Sequence, residues 1–538
     1  MKALTAAEMR EVDRLTTERY GIPGLQLMEA AGTRVAEAFR RIAASNGVGA
    51  RHVCILCGKG NNGGDGFVVA RLLASTITSV QVYLFGKPEE LRGDAATNYR
   101  RWCEGGHKTT LVGDETSWNS AWTEIAAADV IIDAMFGTGF RGAATGAVGR
   151  AIEDINRLSR DATAVRPFLI LALDAPSGMP SDGEAAQGPV LAAHHTVTFT
   201  APKVGQLISP DAAAVGYLEV AEIGSPPHLI DEVGRGSLRW VEAQEFSSLP
   251  LVRPVDSHKG LYGHVLVVAG SVGKSGAAIM SSHAALRAGA GLVTVATPAP
   301  VLSIVASAFP EYMTEPLEAT EIGTASRKGL DGNRFAQIEQ GKTVLAVGPG
   351  LGQHPETQEF IRSVVRETEL PVILDADGLN AFAGRADELR NRKTKFLAIT
   401  PHPGEMARLL GASTKEIQGD RVKVAREAAQ RWNAHVVLKG SHTLVVAPDG
   451  QTFVNTGGNP GLAKGGSGDV LTGVLAALTA QFKTADWVRV LALGVYLHAL
   501  AADLASAGSD LSGLLAGEVA NAVPKSRLRM LQELQRRE

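Results

Sequence analysis

Residues 58–66 of the sequence read GKGNNGGDG and could bind a phosphorylated ligand. They lie between an apolar run, VCILC, and a helix-like run, FVVARLL. The glycines let the backbone approach a ligand closely, and the exposed amides and the positive N-terminus of the following helix suit a phosphate. Asn61, Asn62 and Asp65 add oxygens that a phosphate does not need but a cation would. A helix N-cap with turn asparagines accounts for the same residues equally well.

The same segment satisfies the G-x-G-x-x-G pattern of Rossmann dinucleotide sites. Such a site needs an acidic residue at the end of the second strand, where it binds the ribose. Here the second predicted strand ends in FGK, residues 85–87, and has no carboxylate. The pattern is therefore weak by itself, and it does not predict a standard Rossmann cofactor site.

Three further strand ends in the first half carry polar residues. Asp133 comes just before a glycine turn at 137–139, Asp174 and Ser177 follow another strand, and Lys203 follows a third. Ligands of open α/β sheets bind outside the carboxyl ends of the strands, so we expect these segments to converge. Together they offer amides for phosphate, oxygens for a hard cation and an Asp/Lys set for proton transfer. Any one of these aspartates alone would more often be a helix cap.

The second half has a glycine-rich turn of its own, residues 464–468, in the stretch GNPGLAKGGSGDVLTGVLAAL. The backbone amides of 465–468 and the start of the next helix would form an anion hole. Asp469 lies at its rim, where a carboxylate could take a proton from a hydroxyl that attacks a phosphoryl group. An N-cap aspartate after a flexible turn is the alternative. The stretch HVLVVAGSVGKSGAA is not a Walker A loop, because Val268 stands where the first glycine is required.

Helical stripes alternate with short apolar strands through both halves, which predicts an α/β fold with parallel sheets covered on both faces. One helical stripe in the first half is formed by Met28, Ala31, Val35, Phe39 and Ile42. The predicted strands of that half lie in 53–57, 80–86, 129–139, 167–178 and 195–202. Those of the second half lie in 264–271, 292–298, 343–352, 371–380 and 396–405, followed by a hairpin at 435–450. We therefore predict domains at 1–225 and 240–538, joined by a Pro- and Gly-rich linker at 226–239.

The composition excludes several classes of function. The chain has 538 residues, 45% of them hydrophobic and 20% charged, and a net charge of −3. It has no basic excess for nucleic acid or an anionic membrane, and no run of about 18 apolar residues for a membrane span. The start MKALTAAEMREVDR lacks the apolar core of a signal peptide, so we expect a cytoplasmic protein. Cys54 and Cys57 form a C-x-x-C, but alternation along a strand places them on opposite faces as core thiols rather than a redox pair.

The combination of NNGGDG, DAMFGTGFRG and DAPSG over residues 1 to about 225 resembles the epimerase domain of the bifunctional NAD(P)H-hydrate repair enzymes, which has a Rossmann-like three-layer αβα sandwich. The resemblance implies a potassium ion ligated by Asn62, Asp133 and Ser177, and a catalytic Asp174 that also contacts the nicotinamide-derived ring. It implies that the hydrated dinucleotide is held by Asn61, Asn62, Gly63, Gly64, Asp65, Gly137, Thr138, Gly139, Phe140, Arg141, Gly142 and Ala143.

KGGSGD resembles the anion-hole motif of ribokinase-like kinases. Together with VGPGLG, DADGLN, TPHPGEMARLLG and LKGSHT, it makes residues 240–538 similar to the ADP-dependent dehydratase of the same repair family. Asp469 would then be the catalytic base, and Asp375 and Asp377 would either reach magnesium through water or only cap a turn. The resemblance implies substrate contacts at Ala277, Gly350, His402 and Asp469, and ADP contacts at Lys439, Gly440, Ser441, His442, Thr443 and Gly468.

The resemblance implies two activities: epimerisation of the R and S forms of hydrated NADH or NADPH, and dehydration of the S form at the expense of ADP, with magnesium accompanying ADP. Two alternatives stay open on the residues alone. One is a ribokinase-like kinase of a small metabolite, such as a vitamin precursor, fused to an accessory binding domain. The other is a scaffold role for the first half, as in RNA-decapping assemblies. The expected partners are small molecules and further copies of the chain, with neither nucleic acid nor membrane.

Overall fold

The fold divides the chain into two units, Met1–Gly236 and Ser237–Glu538. The structure is a computed structural model that describes residues 1–160, 168–236, 238–483 and 486–537. The prediction of domains at 1–225 and 240–538 stays a prediction. The structure adds that His228–Val233, inside the predicted linker, is a short helix whose Leu229 and Ile230 are buried against Leu4 and Met9. Ser237 of that linker lies outside the described residues.

In the first unit, two helices come first, and strands and helices then alternate up to the fifth strand. The strands are β1 His52–Cys57, β2 Ser79–Leu84, β3 Thr109–Leu111, β4 Val130–Ala134, β5 Leu169–Leu173, β6 His195–Phe199 and β7 Tyr217–Ala221. The helices are α1 Ala6–Tyr20, α2 Gly24–Ser45, α3 Asn61–Ala74, α4 Gly93–Glu104, α5 Glu115–Ala126, α6 Gly146–Arg160, α7 Val204–Ile208 and α8 His228–Val233. All predicted strand segments contain a strand; Pro167, at the start of one, lies outside the described residues.

Among the residues that the structure describes, these seven strands form one parallel sheet in the order β3-β2-β1-β4-β5-β6-β7. The order reverses between β1 and β4, which is where open α/β sheets bind ligands. Both faces are covered. Cys54 lies in one core cluster and Cys57 in the other, so the prediction of core thiols on opposite faces is confirmed. Burial raises the pKa of the Cys54 thiol to about 12.

The second unit repeats this architecture with a larger sheet. Its strands are β8 Leu238–Trp240, β9 His264–Val268, β10 Leu292–Pro298, β11 Met313–Leu317, β12 Val344–Val347, β13 Val372–Leu374, β14 Leu397–Ile399, β15 His435–Leu438, β16 Thr443–Val446 and β17 Thr452–Asn455. Its helices are α9 Ser275–Arg287, α10 Leu302–Ala308, α11 Arg334–Glu339, α12 Pro355–Glu367, α13 Asp377–Asn380, α14 Pro403–Leu410, α15 Thr414–Gly419, α16 Arg421–Trp432, α17 Ser467–Gln481, α18 Trp487–Ser506 and α19 Ala516–Arg537.

In the described part of this unit, the sheet order is β11-β10-β9-β12-β13-β14-β15-β16-β17-β8, with its switch point between β9 and β12. The strands β15, β16 and β17 pair antiparallel, which confirms the predicted hairpin. Helix α17 is apolar all round and is buried between the sheet and helices α9 and α18. Helix α18 is long and apolar enough to cross a membrane by length and composition, but 67% of its apolar stretch is buried, as expected of a core helix.

Candidate active sites

A cleft of about 1320 Å³ opens at the carboxyl edge of the first sheet. It lies over the switch point, because its walls come from the turns that follow β1 and β4. Helices α1 and α2 contribute Met9, Asp13 and Met28 to the opposite wall. Sites for drug-sized ligands have volumes of about 300–1,000 Å³, so this cleft suits a larger ligand, such as a dinucleotide.

An ion pair is buried at the base of this cleft. Lys203 Nζ lies 2.7 Å from Asp174 Oδ1 and also donates to Thr198 Oγ1 (2.7 Å) and to the Phe199 carbonyl (2.9 Å). Asp174 has φ +60°, an uncommon conformation for a residue with a side chain. Burial alone would raise the pKa of Asp174, but Lys203 and the hydrogen bonds outweigh burial and hold that pKa below its usual value. Asp174 is therefore an ionised carboxylate.

The three residues that the resemblance assigns to potassium lie together beside the cleft. Asp133 Oδ1 accepts from Ser177 Oγ at 2.6 Å, and Asp133 Oδ2 accepts from the Ser177 amide at 2.7 Å. Burial raises the pKa of Asp133 to about 6. Asn62 Nδ2 donates to the Phe136 carbonyl (2.8 Å), while its Oδ1 is buried with no hydrogen-bond partner among the described residues. A buried oxygen without a donor is what a cation ligand requires, so the fit to potassium depends on Asn62.

The other carboxyl groups that line the cleft include those of Asp13 and Asp65. Asp65 lies in the first turns of α3 and is 8% exposed. Burial raises its pKa well above the usual value, and the charges of Asp174 and Asp13 add to the rise. Burial also raises the pKa of Asp13 to about 6. Asp13 was missed by the sequence reasoning, although it follows Val12 on the buried stripe of α1, where a carboxylate is unusual.

The structure corrects the role of two glycines in NNGGDG. The segment is helix rather than turn, since α3 begins at Asn61. A Cβ on Gly63 would lie 1.9 Å from the Gly58 carbonyl oxygen, and one on Gly64 would lie 2.7 Å from Met28 Sδ. Both glycines therefore allow α3 to pack closely against its neighbours, and their contact with substrate stays a prediction. Asn61, Asn62 and Asp65 do line the cleft.

The turn after β4 lines the cleft through residues 137–141. The Thr138 amide donates to Asp174 Oδ2 at 3.3 Å, and the rings of Phe136 and Phe140 stack 4.5 Å apart. Gly142 and Ala143, which the resemblance also assigns to the substrate, follow this turn and are exposed. Their contact with substrate stays a prediction.

A second buried ion pair lies at the carboxyl edge of the other sheet. Lys439 Nζ, at the end of β15, is 2.8 Å from Asp375 Oδ1, at the end of β13. Asp375 Oδ2 accepts from Thr472 Oγ1 of α17 at 2.7 Å. Burial would raise the pKa of Asp375, but Lys439 outweighs it and the pKa is lowered. A Cβ on Gly468 would lie 3.4 Å from Lys439 Nζ, so the ammonium borders the predicted anion hole.

Asp469 is a neighbour of this pair but is not the partner of its lysine. Burial raises the pKa of Asp469 to about 7. The carboxylates of Asp375, Asp377 and Glu405 contribute to this rise in pKa, while Lys439 opposes it. A general base works best when its pKa lies near the operating pH. The helix α17 starts at Ser467, so Asp469 lies in its first turn and not at its first residue.

Two predicted substrate residues of the second unit meet at the switch point. A Cβ on Gly350, which follows β12 and has φ +64°, would lie 2.8 Å from the Ala277 methyl. Beside them, Asp377 Oδ2 accepts from the Gly352 amide at 2.8 Å and from Lys274 Nζ at 3.2 Å. This arrangement brings the start of α9 close to the turn after β12.

His402 caps the helix that follows β14. Its Nδ1 accepts from the amides of Gly404 (3.0 Å) and Glu405 (3.3 Å). The Glu405 carboxylate accepts from the His402 amide at 2.7 Å and lies 3.6 Å from Lys439 Nζ. The turn-stabilising role is thus present, and the half-exposed ring leaves a substrate contact open as a prediction.

The turn at 439–443 accepts hydrogen bonds from an arginine that the sequence reasoning did not single out. Arg421 Nη2 donates to the carbonyls of Leu438 (3.1 Å) and Lys439 (3.3 Å). Burial lowers the pKa of Arg421 to about 10. Thr443 Oγ1 donates to the Gly440 carbonyl at 3.1 Å and closes the turn. Ser441 and His442 lie between them, at the tip.

No group of three or more His, Cys, Asp or Glu side chains that could hold a metal ion occurs in the described ranges. Both carboxylates of DADGLN are occupied by protein donors. Asp375 bonds Lys439 and Thr472, and Asp377 bonds Lys274 and the Gly352 amide. These residues do not fit direct magnesium ligands.

Comparisons with known proteins find one family match in each unit. Residues 24–205 match the family described as YjeF-related protein N-terminus, and residues 265–525 match the family described as NAD(P)H-hydrate dehydratase. The chain is 42% identical over 526 residues to the bifunctional NAD(P)H-hydrate repair enzyme Nnr of Moorella thermoacetica, covering 97% of this chain and 96% of that protein.

It is also 35% identical over 518 residues to the Nnr of Escherichia coli strain K12, covering 96% of this chain and 92% of that protein. Among solved structures, the ADP/ATP-dependent NAD(P)H-hydrate dehydratase of Bacillus subtilis, co-crystallised with ATP and Mg²⁺, is 31% identical. It has a TM-score of 0.46 and covers 54% of this chain and 98% of that chain.

Proposed function

This chain belongs to the family of bifunctional NAD(P)H-hydrate repair enzymes, and we propose how its two sites divide the repair. The first-unit cleft epimerises hydrated NADH or NADPH, and the site around Lys439 and Asp469 dehydrates the S epimer with ADP. The relatives' sequences span both units, which favours this function over a small-metabolite kinase with an accessory domain.

The observation that carries the first assignment is the buried Asp174–Lys203 pair beneath a cleft of about 1320 Å³. Hydrated NADH has a hydroxyl on C6, next to the ring nitrogen, so the configuration of C6 can invert through an iminium or a ring-opened form. An iminium is a cation, and a buried carboxylate that stays ionised stabilises it. Asp174 is such a carboxylate, because Lys203 holds its pKa down.

Potassium fits beside this site and not within it. Asn62 would hold the ion through its unpartnered Oδ1, with Asp133 and Ser177 at its side. When bound, the ion would supply positive charge at the wall of the cleft that Asn62 lines. Asn61 and the amides at the start of α3 would bind those phosphates from the protein side.

In the second unit, water must leave C6, and hydroxide is a poor leaving group. We propose that the Asp469 carboxylate accepts the proton of the C6 hydroxyl while the hydroxyl oxygen attacks the terminal phosphoryl group of ADP. The bond from that phosphoryl group to the rest of ADP breaks, and AMP leaves. The ring nitrogen then expels phosphate, and loss of the C5 proton restores the dihydronicotinamide. Lys439 and the amides at 466–468 would hold the transferred phosphoryl group. Asp375 and Asp377 accept hydrogen bonds from protein donors, so neither side chain would bind magnesium directly.

The experiment that tests both assignments uses a mixture of the R and S epimers of hydrated NADH. The protein is added with ADP, and the absorbance of NADH is followed. We expect recovery of the whole mixture. Fast recovery of the S fraction, with the R fraction recovered only at the rate of spontaneous epimerisation, would contradict the first assignment. No recovery would contradict both.

We also propose that the protein is cytoplasmic and assembles from several copies of the chain. The net charge of −3 offers no attraction to nucleic acid or anionic lipid. Sedimentation at several concentrations tests the assembly, and a monomer throughout would contradict it.

A further inference from the structure

Lys203 carries one positive charge and is surrounded by three carboxyl groups, those of Asp13, Asp65 and Asp174. Its ammonium group is paired with Asp174. An ammonium has three N–H donors. Those of Lys203 are directed at Asp174, Thr198 and the Phe199 carbonyl, at 2.7, 2.7 and 2.9 Å. Asp65 and Asp13 line the same cleft and are left without a cation. Within the described ranges, the Asp65 carboxyl forms neither a hydrogen bond nor an ion pair.

A buried carboxyl without a partner carries its proton, because desolvation penalises the charged form. Only 8% of the surface of Asp65 is exposed. The residue lies in the first turns of α3 and lines the cleft. The charges that face it are Asp13 from α1, Asp174 from the end of β5 and Lys203 from the end of β6, with the Cys57 thiol behind it on β1. Carboxylates outnumber the lysine, so the proton stays on Asp65.

We propose that Asp65 is the general acid and base of epimerisation, exchanging a proton with the oxygen on C6 while Asp174 stabilises the cation. The proposal rests on the epimerase function proposed above and adds a second catalytic residue to it. It also accounts for a gap in the first assignment, since Asp174 is bound to Lys203 and ionised and is therefore a poor proton donor.

The steps balance without a co-reactant. The Asp65 carboxylic acid gives its proton to the C6 hydroxyl, the C6–O bond breaks as the lone pair of N1 forms N1=C6, and water leaves. A water molecule then adds to the other face of C6. The N1=C6 electron pair returns to nitrogen, and the proton released by that water returns to the Asp65 carboxylate.

The assigned base of the other unit also lies near the start of a helix. Asp469 lies in the first turn of α17 after a glycine-rich segment, next to a carboxylate that a buried lysine keeps ionised. Asp65 lies in α3 after a glycine-rich segment, next to Asp174, which Lys203 keeps ionised. In both units the lysine ionises one aspartate and leaves a neighbouring one to exchange a proton.

The test is Asp65→Asn, which keeps the shape and polarity of the side chain but cannot release a proton. We expect kcat for epimerisation to fall by about 10²–10⁴-fold with little change in KM. Dehydration of pure S epimer should keep its wild-type rate. Asp231→Asn, at an exposed carboxylate of α8 paired with Lys2, is the matched control and should leave epimerisation unchanged.

Two readouts separate a proton-transfer role from a structural one. The wild-type rate should fall as pH rises and Asp65 loses its proton, and Asp65→Asn should lose that dependence. Asp13→Asn removes a neighbouring negative charge, which lowers the pKa of Asp65 and moves the fall to lower pH. In ¹⁸O-water, each inversion should place one ¹⁸O on C6.

Wild-type kcat in Asp65→Asn, or inversion without ¹⁸O uptake, would overturn the proposal while leaving the epimerase function intact. A wild-type protein that does not epimerise at all would instead overturn the proposed function.

Discussion

The two units build their sites from the same parts but use them differently. Each buries a Lys–Asp ion pair at the carboxyl edge of a parallel sheet, with Lys203 2.7 Å from Asp174 in the first and Lys439 2.8 Å from Asp375 in the second. In the first unit the paired aspartate faces the substrate cleft. In the second the pair supports the anion hole, and the unpaired Asp469 is the assigned base.

The difference follows from the charge that each reaction must stabilise. Epimerisation passes through a cation, so an ionised carboxylate in the cleft is useful. Phosphoryl transfer concentrates negative charge, so the useful group is the lysine, and its carboxylate partner serves to position it. A buried pair of the same geometry can thus present either its negative or its positive end to the ligand.

The largest effect that tests this comparison is expected from Asp469→Asn. Dehydration of the S epimer should fall by about 10²–10⁴-fold, because the variant cannot accept the hydroxyl proton. Epimerisation should be unchanged, since its residues all lie in the first unit. The control is Asp387→Asn, at an exposed carboxylate paired with Arg431. ADP-dependent dehydration at the wild-type rate in Asp469→Asn would refute the assigned role.

The ion pair of the first unit can be tested through stability. Lys203→Met leaves Asp174 buried without its cation and should lower the free energy of unfolding by about 3–5 kcal/mol at neutral pH. Lys203→Met combined with Asp174→Asn should recover part of this loss, because an amide of similar volume needs no desolvation of charge and asparagine tolerates the φ of +60° at this position. Urea unfolding of both variants and the wild type measures the difference.

The pH dependence of that loss has a definite sign. The pKa of Asp174 is lowered in the folded protein, so its contribution is complete above the unfolded value of about 3.9 and disappears as pH falls through the folded value. The deficit of Lys203→Met should therefore shrink as the solution is acidified below about pH 4. A deficit that is independent of pH would show that the pair does not hold Asp174 ionised.

The sheet edges and the residues at the strand ends could be predicted from the sequence. Parallel strands are near-continuous apolar runs, and their carboxyl ends meet at one edge, so the positions of Asp133 and Asp174 along the chain were enough to predict that they lie together at that edge. The partners of these residues could not be predicted. Lys439 and Asp375 are 64 residues apart, and no local pattern indicates which of several basic residues reaches a given carboxylate.

Glycine was the least informative residue type in this sequence. Gly63 and Gly64 suggested close approach to a ligand, yet the atoms that approach them belong to Gly58, Met28 and Ala95. A glycine in the sequence suggests that a neighbouring atom lies too close for a side chain. It does not show whether that atom belongs to a ligand or to the protein. Asp13 was missed for a related reason, since a single carboxylate on an amphipathic helix usually faces solvent.

The smallest predicted effect concerns His402, where a cap and a ligand contact can be separated by two substitutions. Asparagine is as good an N-cap as any residue, whereas alanine costs about 0.5–2 kcal/mol at such a position. His402→Asn should therefore keep the stability of α14 that His402→Ala loses. Both variants lack the imidazole, so both should raise KM for the hydrated dinucleotide, by roughly 5–10-fold for one lost hydrogen bond.

A wild-type KM in His402→Asn would leave the capping bonds of Nδ1 to Gly404 and Glu405 as the whole function of this side chain. The second unit would then recognise its substrate through the Ala277–Gly350 crevice and the anion hole, without a counterpart to the polar wall of the first-unit cleft.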